Sequence, residues 1–223
     1  MPARKEPLIT GEYYHVFNRG VEHRLIFSSK RDYQRALLAI HYYRFANLPV
    51  KLSRYLIYSS QQREAFFERS GHNEKLVEVL CFCFMPNHFH FLLNQKKDMG
   101  ISKFLGNFQN SYTRFFNTKY DRDGHLFKGQ FKAVRVEKDE QLMHLSRYIH
   151  LNPYTSHIIK NINDLLDYEW SSFPGYVDTK MNVLSNSNQI LSYFKTSEKY
   201  RDFVFDLADY QRKINDQKHI LLE

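Results

Sequence analysis

The stretch Phe84-Met85-Pro86-Asn87-His88-Phe89-His90-Phe91-Leu92-Leu93 decides how this chain folds. From Leu76 to Leu93 the residues are dense in Val, Phe, Leu and Cys, broken only at Met85-Pro86-Asn87. Proline cannot donate to a strand ladder and Pro-Asn favours a turn, so the segment reads as a hairpin of two central strands. In a strand the side chains alternate between faces. His88 and His90 therefore share one face, and Phe89 and Phe91 the other. Two adjacent imidazoles can hold one divalent ion from one side, or they can be hydrogen-bonded histidines of a partly buried strand. Two ligands make a weak site, so a metal would need a third donor from elsewhere.

Working outward, Glu12–Asn18 is rich in β-formers and closes at Arg19-Gly20, a first strand. Ser29 can cap a helix from about Arg31 to Phe45. Residues 47–75, with Pro49, Ser59-Ser60-Gln61-Gln62 and Gly71, read as an insertion with one short helix. Phe104, Phe108, Tyr112 and Phe115 recur at helical spacing through Ile101–Thr118. A turn at Asp121–Gly124, a strand near Phe131–Val136 and a helix from Asp139 to Pro153 follow. The order strand, helix, hairpin, helix, strand, helix predicts an α+β fold of the ferredoxin-like (RRM-like) kind. Its antiparallel sheet would carry helices on one face and leave the opposite face free for a ligand. We expect a main domain over 1–178 and a helical appendage over 179–223, with helices near 185–194 and 197–213.

The last of the central helices carries Leu142, Leu145 and Ile149 as a core stripe. His144, Tyr148 and Asn152, at i, i+4 and i+8, share a different face. A phenol and a carboxamide there could both reach a site on a neighbouring sheet. Equally, Tyr148 could be a core-edge residue and Asn152 a helix terminus before Pro153.

The whole chain of 223 residues carries a net charge of +8, with aromatics at 16%. Excess positive charge concentrates polyanions, and flat rings offer stacking surfaces to unpaired bases. No stretch reaches the roughly 20 apolar residues of a membrane helix, and no signal peptide is evident, so a cytoplasmic protein without a membrane role is expected. Cys81 and Cys83, the only cysteines, lie two apart on one strand face and read as reduced core residues.

Taken together, the hairpin motif and Arg147-Tyr148-Ile149-His150-Leu151-Asn152-Pro153 resemble the single-tyrosine HUH transposases, and within them the REP-associated tyrosine transposases. Three further stretches fit the same pattern: Tyr14–Gly20, Gly124–Lys132 and Trp170–Phe173. The resemblance spans residues 10–178 and excludes the 47–75 insertion and the tail. It implies Tyr148 as nucleophile, His88, His90 and Asn152 as ligands of Mg²⁺ or Mn²⁺, and single-stranded, hairpin-forming DNA as partner. Monomer and homodimer both remain open. His144 is the nearer candidate proton acceptor, since His150 lies on another helix face. DNA contacts are expected from Arg114, Lys119, Arg122, Lys128, Lys132 and Arg135, with Asn18 and Arg19 lining the path from the other side. Two rival readings remain. One is a non-catalytic single-strand binder on the same platform. The other is a histidine-based metal hydrolase, for which acidic residues near the histidines are scarce.

Overall fold

The structure, a computed structural model, describes residues 7–68, 74–178 and 184–220. Four strands form one antiparallel sheet: β1 (Tyr13–Arg19), β2 (Val77–Met85), β3 (His88–Gln95) and β4 (Lys132–Val136), in the order β2-β3-β1-β4. Met85 pairs with His88, so Pro86-Asn87 is the two-residue turn of the expected hairpin. That turn is docked on the rest of the chain: the Pro86 carbonyl accepts from the N–H groups of Ile26 and Phe27, and the Asn87 carbonyl from Gly20 N–H. Gly20 is required there, because a Cβ would run into the Arg24 carbonyl oxygen and the Ile26 side chain.

Helices α1 (Lys30–Tyr43) and α4 (Gly100–Lys119) pack on one face of the sheet. Ser29 caps α1 in a capping box with Asp32, whose carboxylate accepts from the backbone N–H groups of Ser28 and Ser29. Between these helices and the sheet lie Val16, Phe84, Phe89, Phe91, Phe104, Phe108 and Tyr112, all fully buried, in edge-to-face and tilted contacts. In the insertion, α2 (Leu52–Tyr55) and α3 (Ser60–Glu68) are two helices where one was expected. The rings of Tyr42, Tyr55 and Phe66 hold them to the end of α1.

The second face differs from expectation. Helix α5 (Asp139–Thr155) lies across it over β2 and β3 and buries Cys81, Cys83, Met85, Leu92 and Val136 beneath Leu142, Ile149 and Leu151. A bulge between Val79 and Cys81 turns both cysteines to this side, where they are buried and free. The sheet is thus a filled layer between helices, with only the β1–β4 side of this face left open. Helix α5 also continues two residues past Pro153, beyond the expected stop. Helices α6 (Phe173–Val177), α7 (Asn188–Leu191), α8 (Ser197–Phe205) and α9 (Ala208–Ile220) extend the same second core. The single expected helix over 197–213 is divided between α8 and α9, and the expected 185–194 helix is reduced to one turn. At the heart of this core, buried His150 bonds Tyr200 through Nδ1 (2.7 Å) and Ser172 Oγ through Nε2 (2.7 Å). Among the described residues no helix is long and apolar enough to cross a membrane.

Candidate active site at the edge of helix α5

On the uncovered strip of the second face, register places five side chains together. β1 runs antiparallel to β3 with Phe17 opposite His90 and Arg19 opposite His88, so His15, Phe17, Arg19, His88 and His90 share this face. The rings of His88 and His90 stand perpendicular with centroids 5.0 Å apart. His88 Nδ1 lies 2.6 Å from the Asn87 side-chain oxygen, and His90 Nδ1 lies 2.9 Å from His15 Nε2. The Asn87 side-chain oxygen can only accept, so it takes its hydrogen bond from His88 Nδ1, while Asn152 contacts the same ring.

Helix α5 brings the second motif over these rings. Tyr148 stands edge-on to His90 at 5.6 Å and to His15 at 6.0 Å. Asn152 donates from Nδ2 to the Tyr148 carbonyl (2.9 Å), which turns its oxygen outward, and its side chain also meets His88 and the Tyr148 phenol. Asn152 is buried, whereas Tyr148 is 43% exposed on a helix whose neighbouring side chains are packed. The phenol therefore faces solvent on one side and imidazoles on the other.

Burial sets the electrostatics. It pushes His88 down to about 4, with a favourable contact from Asn152 and repulsion from Arg19 as smaller effects. Burial, and then the neighbouring imidazoles, hold His90 well below the usual histidine range, and burial alone takes His15 to about 4. The rings are neutral at physiological pH, the state that ligates metal. Burial raises the Tyr148 phenol above its ordinary value; the bond with Asn152 opposes this and Cys83 adds to it. The described residues contain no group of three His, Cys, Asp or Glu able to hold a metal. His88 Nε2, His90 Nε2 and the Asn152 carboxamide oxygen are a different donor set, two neutral nitrogens and one oxygen. It fits an ion that draws its remaining ligands from phosphate and water.

A cavity of about 520 Å³ opens beside the histidines, lined by Phe17, Asn18, Arg19, His23, Lys128 and Lys132 among others. Of the expected DNA-contacting residues, Asn18, Arg19, Lys128 and Lys132 do meet here. Asn18 holds the neighbouring loop, donating to the Gly129 carbonyl, and Lys132 lies over the Phe17 ring. The others lie elsewhere. Arg135 pairs with Tyr14 across the sheet, which turns it to the α1–α4 face, where it bonds Glu12. Arg122 is tied to Asn117 and the His125 carbonyl beside the end of α4. Arg114 and Lys119 are on α4, on the far side of the sheet, and Lys119 is paired with buried Asp32 (2.7 Å). His144 is not brought to the phenol: it accepts from Arg147 (2.8 Å) and packs against Phe203 of α8. His15 was missed as a site residue, although it stands in one of the quoted motifs. Trp170–Phe173 proves structural, with Trp170 stacked on Tyr33 and Ser172 bonded to His150 and to Phe82 N–H.

A histidine pair on a central strand thus lies beneath a tyrosine and an amide one turn apart on a helix. The family described as IS200-like transposases matches residues 42–152, about half the chain and inclusive of His88, His90, Tyr148 and Asn152. The chain belongs to this single-tyrosine HUH transposase family. A solved structure of a REP-associated tyrosine transposase bound to a REP hairpin shares the fold. It has a TM-score of 0.52 at 13% identity, covering 85% of this chain and 93% of that one. No curated protein matches the sequence.

Proposed function

We propose that this chain cleaves and rejoins single-stranded DNA through a transient 5′-phosphotyrosine at Tyr148. The observation that carries the reading is the convergence of Tyr148, Asn152, His88 and His90 in one half-open site, drawn from two elements far apart in sequence. His88, His90 and Asn152 would hold Mg²⁺ or Mn²⁺. When bound, such an ion supplies positive charge to the scissile phosphate and to the ionising phenol. Tyr148 attacks phosphorus in line. The phenolic oxygen–phosphorus bond forms as the bond to the 3′ oxygen breaks, and the phenolic proton balances the charge on the departing 3′-hydroxyl. Arg19, Lys128 and Lys132 neutralise the strand's phosphates, and Phe17 offers a ring face to a base. The hairpin bound by the structurally similar REP-associated transposase makes a hairpin-flanked single strand the substrate of choice.

The test is cleavage of 5′-labelled hairpin oligonucleotides bearing single-stranded flanks, with Mn²⁺ and with chelator. Metal-dependent cutting that disappears in Tyr148→Phe is expected. Binding without cutting across a broad hairpin library would instead identify a non-catalytic single-strand binder.

A further inference from the structure

The side of helix α5 directly behind Tyr148 is polar and wholly buried. At 3.6 residues per turn, Ser146 and His150 stand one turn apart, each about 160° round the helix from Tyr148. Both are excluded from water, whereas Tyr148 is 43% exposed. One hydroxyl, that of Tyr200 on α8, spans the two turns: it meets His150 Nδ1 at 2.7 Å and Ser146 Oγ at 2.9 Å. The directions of these bonds follow from one another. Ser146 Oγ donates to the Met143 carbonyl (2.7 Å), so it accepts from Tyr200, and Tyr200 in turn accepts from His150 Nδ1. His150 Nε2 pairs with Ser172 Oγ (2.7 Å), which receives the Phe82 N–H of β2 (2.9 Å). The chain of bonds thus runs from the sheet, through α5, to α8.

The apolar contacts of α5 do not fix its rotation in the same way. Leu142, Ile149 and Leu151 lie against Cys81, Cys83, Met85 and Leu92. Burial of that kind is non-directional, and sulfur-bearing side chains adapt to a shifted neighbour. A fully satisfied buried polar network specifies one arrangement. Arg147 and Tyr154 also hold the appendage, at the Phe203 carbonyl and the Asp209 carboxylate, but from other sides of the helix. The lever is long. A turn of about 10° moves a phenolic oxygen, about 9 Å from the helix axis, by about 1.5 Å. A misplacement of about 1 Å can cost roughly a hundredfold in rate.

We propose that Tyr200 is a positioning residue: by bridging His150 and Ser146 it fixes the rotation of α5, and so the aim of the Tyr148 phenol at the histidine pair. Its effect on rate rests on Tyr148 being the nucleophile; its effect on the position of the Tyr148 ring does not.

The experiment puts 3-fluorotyrosine in place of Tyr148 in the full chain and records fluorine NMR without metal. Unlabelled proteins are assayed in parallel for single-turnover cleavage of a saturating hairpin oligonucleotide with Mn²⁺. Wild type is compared with Tyr200→Phe and Tyr176→Phe, thermal unfolding confirming the fold. Tyr176→Phe is the control, because its hydroxyl bonds the Leu80 carbonyl (2.8 Å) and Cys81 Sγ (3.1 Å) of β2 rather than α5. Wild type and Tyr176→Phe are expected to share one sharp resonance, and Tyr200→Phe to give a displaced or split one. Cleavage should fall by about ten- to a hundredfold in Tyr200→Phe and less in Ser146→Ala, with oligonucleotide affinity in EDTA unchanged. A wild-type resonance and rate in Tyr200→Phe overturn the proposal. So does an equal disturbance by Tyr176→Phe, the mark of a generally loosened core. If wild type cuts no hairpin, the nucleophile reading fails while the resonance still decides the role of Tyr200.

Discussion

The two faces of the sheet are built on different terms. Against α1 and α4 the side chains of Phe84, Phe89, Phe91, Phe104 and Phe108 are wholly excluded from water and interlock ring on ring. Against α5 the β2–β3 side is filled, with Val136 at the end of β4, and the filling is smaller: Cys81, Cys83, Met85 and Leu92. Where α5 stops covering the sheet, His15, Phe17 and His88 remain half-buried and Val134 on the edge strand is 57% exposed. The closed face supplies stability and fixes the register of β1 against β3. The half-open face uses that register to place imidazoles where they are dry enough to stay neutral yet reachable by a ligand.

The sharpest way to break this division of labour is Tyr148→Phe. It should reduce strand cleavage by about a thousandfold or more, equivalent to roughly 4 kcal/mol of barrier. Oligonucleotide binding and the unfolding midpoint should stay near wild type. Next in size comes a matched pair of core changes. Phe89→Ala, on the closed face, should cost about 3–5 kcal/mol in denaturant unfolding. Phe17→Ala, two residues from His15 on the open face, should cost far less while weakening single-strand binding. Equal losses would mean that the faces do not differ as described.

His15 sharpens the comparison from within the site. For His90 to offer Nε2 it must donate from Nδ1, and His15 Nε2 is the acceptor at 2.9 Å. His15→Ala should therefore weaken Mn²⁺ affinity by about 10–100-fold by titration, the range expected for such supporting partners. His15→Gln, which keeps an acceptor, should recover part of the loss.

The last effect concerns acid. Burial holds His150 near 3, so it stays neutral in the fold while the unfolded chain protonates it near the ordinary histidine value of about 6.5. Above that value neither state binds the proton and stability is unaffected. As pH falls from about 6.5 toward 3 the unfolded state alone gains it, and stability is lost by up to roughly 1.4 kcal/mol per pH unit. Unfolding of His150→Gln, which keeps hydrogen-bonding capacity toward Tyr200 and Ser172, should show a slope shallower by about one proton.

What could be read from the chain follows the same division. His88 with His90, and Tyr148 with Asn152, are short-range patterns of period 2 and 3.6, and each survived into the folded site. His15 stands 75 residues from His90, and only strand register makes them neighbours. The positive charges divide between the two faces for a related reason: Arg114 and Arg135 are basic in any reading, but the sheet face they occupy depends on pairing and on where α4 docks. His144 shared the helix face of Tyr148 on paper, yet α8, from the far end of the chain, supplies the Phe203 ring it packs on. The covering of the second face by α5 was missed because the apolar stripe of Leu142 and Ile149 says that the helix packs, not on which side of the sheet.

The central claim is that Tyr148, held over His90 and beside Asn152, forms the bond to DNA. It is tested most directly by trapping the protein with a single-stranded hairpin oligonucleotide and Mn²⁺, digesting the adduct and locating the modified residue by mass spectrometry. The prediction is a nucleotide-phosphate mass on the peptide that contains Tyr148 and on no other tyrosine. A modified Tyr112 or Tyr13, or an adduct that persists in Tyr148→Phe, would contradict it.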